Sequence, residues 1–136
     1  MGAGIKFCDT INFIMDLEAV QRRLLDERAQ RQAIAERLRR EETEPVEASE
    51  LSKVDQHQAE LGTETFERER DLTALAILTD ELADIELALR KVGDGSYGIC
   101  EECGKPIGEE RLAAKPWARL CIADQVRAEQ AISRRR

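Results

Sequence analysis

Cys100 and Cys103 enclose two residues, and Cys121 and Asp124 repeat the same step further along the chain. A Cys-x2-Cys pair brings two thiolates within reach of one ion, and a second pair across a short loop completes a tetrahedral donor set. Zinc favours sulfur and imidazole in closed structural sites and also accepts carboxylate oxygen. Three cysteines and one aspartate therefore make a reasonable zinc clamp, weaker than four thiolates. For Asp124 the residue type leaves another role open, that of capping the helix that follows or standing in solvent. Catalytic zinc is not expected, because no acid, base or substrate pocket accompanies the clamp and the only histidine, His57, is far away in sequence. The chain is expected not to be an enzyme.

The loop between the half-sites has the residues of a compact knuckle. Gly104 suits a left-handed turn just past Cys103, Pro106 stiffens it, and Ile107, Leu112 and Trp117 offer a small apolar core. A module of about forty residues cannot rely on burial alone, so one structural zinc per chain is the expected staple.

Long helices must carry this module. Leu75, Leu78, Leu82, Ile85, Leu89 and Val92 recur in steps of three and four, the seam of a coiled coil. The spacing predicts a helix from near Thr63, as N-cap, to Gly93-Asp94-Gly95. Thirty residues at ~1.5 Å each give a rod of about 45 Å. An earlier helix, from Asp16 to Glu42, bears Leu17, Val20, Leu24, Ile34 and Leu38 in a matching frame interrupted by Glu27 and Arg31. Two such helices of equal length, joined by about twenty residues, should fold back antiparallel to bury their stripes. The expected fold is thus mostly all-α: an antiparallel two-helix hairpin over 16–93 with its tip at 43–63, then a zinc module and terminal helix over 94–136. Residues 1–15 are expected to be a poorly ordered extension, and Cys8 a spare thiol.

Composition narrows the partners. With 36% charged and 4% aromatic residues, a large globular core is excluded in favour of charge-laced helices. A net charge of -7 removes the cationic surface that supplies most nucleic-acid affinity, so protein is the expected partner and sequence-specific DNA binding is not. The apolar patch Ile11–Met15 is too short to cross a bilayer, and cysteines grouped in a clamp suit a reducing cytoplasm. At the predicted tip, Asp55, Glu60 and neighbouring glutamates form a carboxylate-rich probe.

The run Gly95-Ser-Tyr-Gly98-Ile-Cys100-Glu-Glu-Cys103-Gly104-Lys-Pro-Ile107-Gly108, with Arg111-Leu112-Ala-Ala114-Lys-Pro116 and Leu120-Cys121-Ile122, resembles the DksA/TraR zinc-finger family. Taken with the hairpin, the resemblance covers roughly 15–132. It implies a monomeric transcription regulator that binds RNA polymerase directly, its coiled-coil tip entering the secondary channel, often together with the alarmone ppGpp. Two departures stand out. Asp124 occupies a position where the four-cysteine form has Cys, and His57-Gln-Ala-Glu60-Leu-Gly62 stands where polymerase-regulating members carry Asp-x-x-Asp-x-Ala. Asp55, His57 and Glu60 are the expected partner-binding residues of the tip. The altered tip also admits another reading, a stress-associated zinc-finger adaptor that binds a different protein or self-associates.

Overall fold

Asp16 starts the first helix by accepting hydrogen bonds from the backbone amides of Glu18 and Ala19 at Oδ1, 3.1 and 3.2 Å, which satisfies donors that the first turn leaves open. The computed structural model describes residues 16–43 and 57–135. Four helices follow in order: α1 (Leu17–Thr43), α2 (His57–Asp94), α3 (Glu109–Ala114) and α4 (Ile122–Ser133). The described residues contain no strand, only an isolated antiparallel bridge between Ile99 and Pro106. None of their helices is long and apolar enough to cross a membrane. The expected extension 1–15, Cys8 and the connection holding Asp55 lie outside the described residues.

The architecture is the expected antiparallel two-helix hairpin followed by the knuckle and a terminal helix. Its helices are unequal, at 27 and 38 residues, because α2 begins at His57 and not near Thr63. Ala59, Glu60 and Leu61 are good helix formers, and Gly62 costs only about 1 kcal/mol in a helix interior, too little to break the run. Arginines of α1 meet glutamates of α2 across the pair. Arg28 Nη1 lies 2.9 Å from Glu86 Oε1, and Arg31 Nε lies 2.7 Å from Glu81 Oε2. Arg31, read as a break in the seam, thus contributes a cross-helix ion pair.

The chain divides into two compact units, one made of residues up to Arg28 and from Ala83 onward, the other of Ala29–Leu82. In the second, Leu38, Leu75, Leu78 and Leu82 are half-buried, as the spacing predicts. Ile34 is a correction: it is 42% exposed, and Ala35 is buried in its place. At about 100° per residue, Ile34 points about 80° away from Leu24, whereas Ala35 falls within about 20° of it. The seam therefore shifts by one residue. Phe66 and Ile77 of α2 are largely exposed and, with Thr73 and Ala74, line a shallow groove.

The first unit has one continuous core. Leu24 and Ile85 are fully buried, and they cluster with Ala88, Tyr97, Cys100, Ile107, Leu112 and Trp117. Leu17, Val20, Leu89 and Val92 pack against the same cluster. The small apolar core foreseen for the knuckle is therefore shared with the helices. Burial of side chains such as Leu24 and Ile85 contributes about 1.5–3 kcal/mol each.

Candidate metal centre

Helix α2 ends where Gly95 turns left-handed, at φ 81°, and the amides of Ser96 and Tyr97 return to the carbonyl of Lys91. Tyr97 is buried, donates from its hydroxyl to the carbonyl of Pro116 at 2.7 Å, and is pushed up to about 12 by that burial. The chain then makes a tight loop in which Cys100 N donates to Lys105 O at 2.8 Å and Ile107 N donates to Gly98 O at 2.7 Å. Gly98 and Gly104 both take positive φ, 82° and 67°, conformations that a Cβ would strain, and Gly104 does so at the turn expected of it.

The second half-site is fixed from its flanks. Arg111 of α3 donates from Nε to Leu120 O at 2.7 Å and so anchors the residue before Cys121. Arg23 of α1 reaches the carbonyl of Ala113 at 2.6 Å. Glu101, between the first two cysteines, receives Lys91 Nζ at 2.7 Å and both Nε and Nη2 of Arg119, at 2.9 and 2.7 Å. The Arg119 guanidinium, together with Lys91, holds the Glu101 carboxyl below its usual range. Arg119 also contacts Asp84 at 3.3 Å, which ties the knuckle to α2.

These supports bring the four predicted donors together. One ligand atom each from Cys100, Cys103, Cys121 and Asp124 lies within 4.8 Å of every other. Sγ of Cys103 and Cys121 are 3.9 Å apart, and Asp124 Oδ2 is 3.1 Å from Sγ of both Cys100 and Cys121. A tetrahedral zinc with ~2.3 Å bonds to sulfur sets its sulfurs about 3.8 Å apart, so the donor set fits the ion in both type and spacing. Cys100 and Asp124 are buried, Cys121 is intermediate and Cys103 is exposed. No disulfide links the three cysteines.

Asp124 lies in the first turn of α4, where the helix dipole favours a negative charge. It does not cap that helix: Cys121 is the N-cap residue, and no side-chain cap hydrogen bond forms. The carboxylate instead accepts from the thiols, and Cys103, Cys100 and Cys121 together hold it down at about 2. In return, the Asp124 carboxylate pushes the Cys103 thiol up to about 11. Burial raises Cys100, but hydrogen bonds from the backbone amides of Cys103, Cys121 and Glu102 bring it below its ordinary value. Those amides favour the charged form of Cys100, whereas its hydrogen bond to Asp124 opposes it.

His57 and Glu60 occupy the opening turns of α2, not a loop, and Asp55 lies outside the described residues. Sequence reasoning quoted Arg111 only as part of the family motif, without its bond to Leu120, and did not single out Arg119 or Arg127. Arg127 left a local signal, three positions after Asp124 on a helix, where opposite charges meet.

Comparison with known proteins agrees with this geometry. Residues 95–130 match the prokaryotic dksA/traR C4-type zinc finger. General stress protein 16O of Bacillus subtilis is 41% identical over 66% of this chain, although the match spans only 57% of that relative. An uncharacterized protein of Aquifex aeolicus is 40% identical over 83% of this chain and 77% of its own length. The RNA polymerase-binding transcription factor DksA of Caulobacter vibrioides is 51% identical over 36% of this chain and 34% of its own. Among solved structures, the transcription factor DksA2 from Pseudomonas aeruginosa superposes with a TM-score of 0.62 at 30% identity, covering 86% of this chain and 85% of that one. The chain belongs to the dksA/traR zinc-finger family, with zinc as its structural cofactor and an aspartate beside three cysteines.

Proposed function

We propose that this protein is a transcription regulator that binds RNA polymerase by inserting the bend of its hairpin into the secondary channel. In this reading Cys100, Cys103, Cys121 and Asp124 hold a structural zinc, and Asp55, His57 and Glu60 are the residues that act inside the channel. The observation that carries it is the match to the transcription factor DksA2 over 86% of the chain, hairpin and knuckle together. Net charge supports it as well: at -7 the protein is suited to a basic protein surface and to magnesium-bearing polymerase, not to promoter phosphates. The protein acts as a monomer, without an enzymatic step, in the cytoplasm where polymerase resides.

Co-purification with core polymerase, repeated with Glu60→Gln and Asp55→Asn, tests partner and tip together. Binding of the unaltered protein that disappears when the secondary-channel rim is deleted supports the reading; binding unchanged by that deletion ends it. Open-complex lifetime measured with and without ppGpp shows whether the alarmone shares the interface.

A second reading, an adaptor for another protein, is favoured by the exposed apolar face of α2 at Phe66 and Ile77 and by the likeness to a general stress protein. Retention of a non-polymerase partner that is lost on Phe66→Ser would select it.

A further inference from the structure

The two oxygens of Asp124 have different neighbours. Oδ2 faces the sulfurs, at 3.1 Å from Cys100 and from Cys121, whereas Oδ1 lies 2.9 Å from Nη1 of Arg127, one turn further along α4. The Asp124 side chain is 3% exposed and that of Arg127 75%, so the guanidinium reaches the carboxylate from the solvent side. We infer that Arg127 is a positioning residue of the metal centre: by occupying Oδ1 it leaves Oδ2 as the oxygen turned toward the ion, and its charge offsets part of the excess anion there. This rests on the reading of Asp124 as a ligand.

The need for such a residue follows from the donor set. Three thiolates and a carboxylate carry four negative charges against two on zinc, and the carboxylate differs from a thiolate in having a second acceptor that must go somewhere. Left without a partner, that oxygen could turn toward the sulfurs and repel them or compete for the ion. Partners one step removed from a metal typically change its affinity by about 10–100-fold, and the exposure of Arg127 places it near the lower end. A cysteine at position 124 would have a single sulfur and no second acceptor to be held away from the ion, which leaves the arginine only its charge. The effect of Arg127 should therefore depend on the aspartate.

The test uses the full chain, with zinc affinity measured by chelator competition and the absorption spectrum of the cobalt-loaded protein as a second readout. The expected results are an affinity loss of about tenfold and an altered cobalt spectrum for Arg127→Gln, with partial recovery for Arg127→Lys. Arg127→Gln should cost markedly less when added to Asp124→Cys, where only its charge and not its hold on Oδ1 is lost. If Arg127→Gln keeps both readouts while Asp124→Asn changes them, the carboxylate is a ligand but Arg127 does not position it. If Asp124→Asn also changes neither, the ligand reading itself is wrong. An equal loss from Arg127→Gln in the Asp124→Cys protein would show a general charge effect and overturn the positioning role.

Discussion

The backbone amide of Cys121 donates to Sγ of Cys100 at 3.3 Å, so the second half-site is registered on the first through the main chain. The interaction favours the thiolate form of Cys100 and orients its lone pairs, as expected of a preorganised structural site.

Replacing a donor should release the metal. Cys103→Ser removes the exposed thiol of the set, and because it acts on the ion directly it should cost more than the ~100-fold upper range of outer partners. Metal content after dialysis and the melting temperature should both fall; a variant that keeps full zinc and the same melting curve is incompatible with the assigned donors.

Replacing the aspartate should act in opposite directions according to the new residue. Asp124→Cys supplies a fourth thiolate and should tighten zinc, whereas Asp124→Asn removes the charge and should weaken it. Chelator competition reads both, and equal affinities for all three proteins would place Asp124 outside the coordination shell.

The pH dependence of zinc binding should reveal the same difference. Thiols shed protons to bind metal, and Cys103 is held up at about 11, so affinity rises with pH and is lost as pH falls. Asp124, held at about 2, is already ionised throughout that range and releases no proton. Affinity should therefore climb more steeply with pH in Asp124→Cys than in the wild type, as isothermal titration in buffers of different protonation enthalpy would show.

Leu24 couples the helix pair to the centre, because it is fully buried in the cluster that contains Cys100. Leu24→Ala should destabilise the zinc-loaded protein by about 2–5 kcal/mol in urea unfolding. It should also speed loss of zinc to a chelator. Ile34→Ala, at an exposed position, should change stability by about 0.5 kcal/mol or less.

Glu101 binds Lys91 and Arg119 at a partly exposed site, so Glu101→Gln should cost about 1 kcal/mol at low salt and less at high salt. An effect independent of ionic strength would mean that packing, not charge, dominates there.

Local spacing carries much of this protein. The two half-sites, the glycine past Cys103 and the steps of three and four from Leu75 to Val92 are short-range relations that the chain states directly, and from them follow the clustering of Cys100, Cys103, Cys121 and Asp124, the hairpin and its direction of pairing. The position of Ile34 does not, because the frame is interrupted at Glu27 and Arg31, and ten residues after Leu24 the helix has turned Ile34 about 80° away, whereas Ala35 falls within about 20° of it. Nor does the start of α2, where one tolerated glycine reads locally like a boundary. Only the tertiary structure joined Leu24 and Ile85 to Cys100 in a single core, paired Glu101 with Arg119 and Arg119 with Asp84, and gave each Asp124 oxygen its own neighbour. Such contacts join residues remote in sequence or depend on side-chain orientation, and neither has a periodicity that a sequence can display.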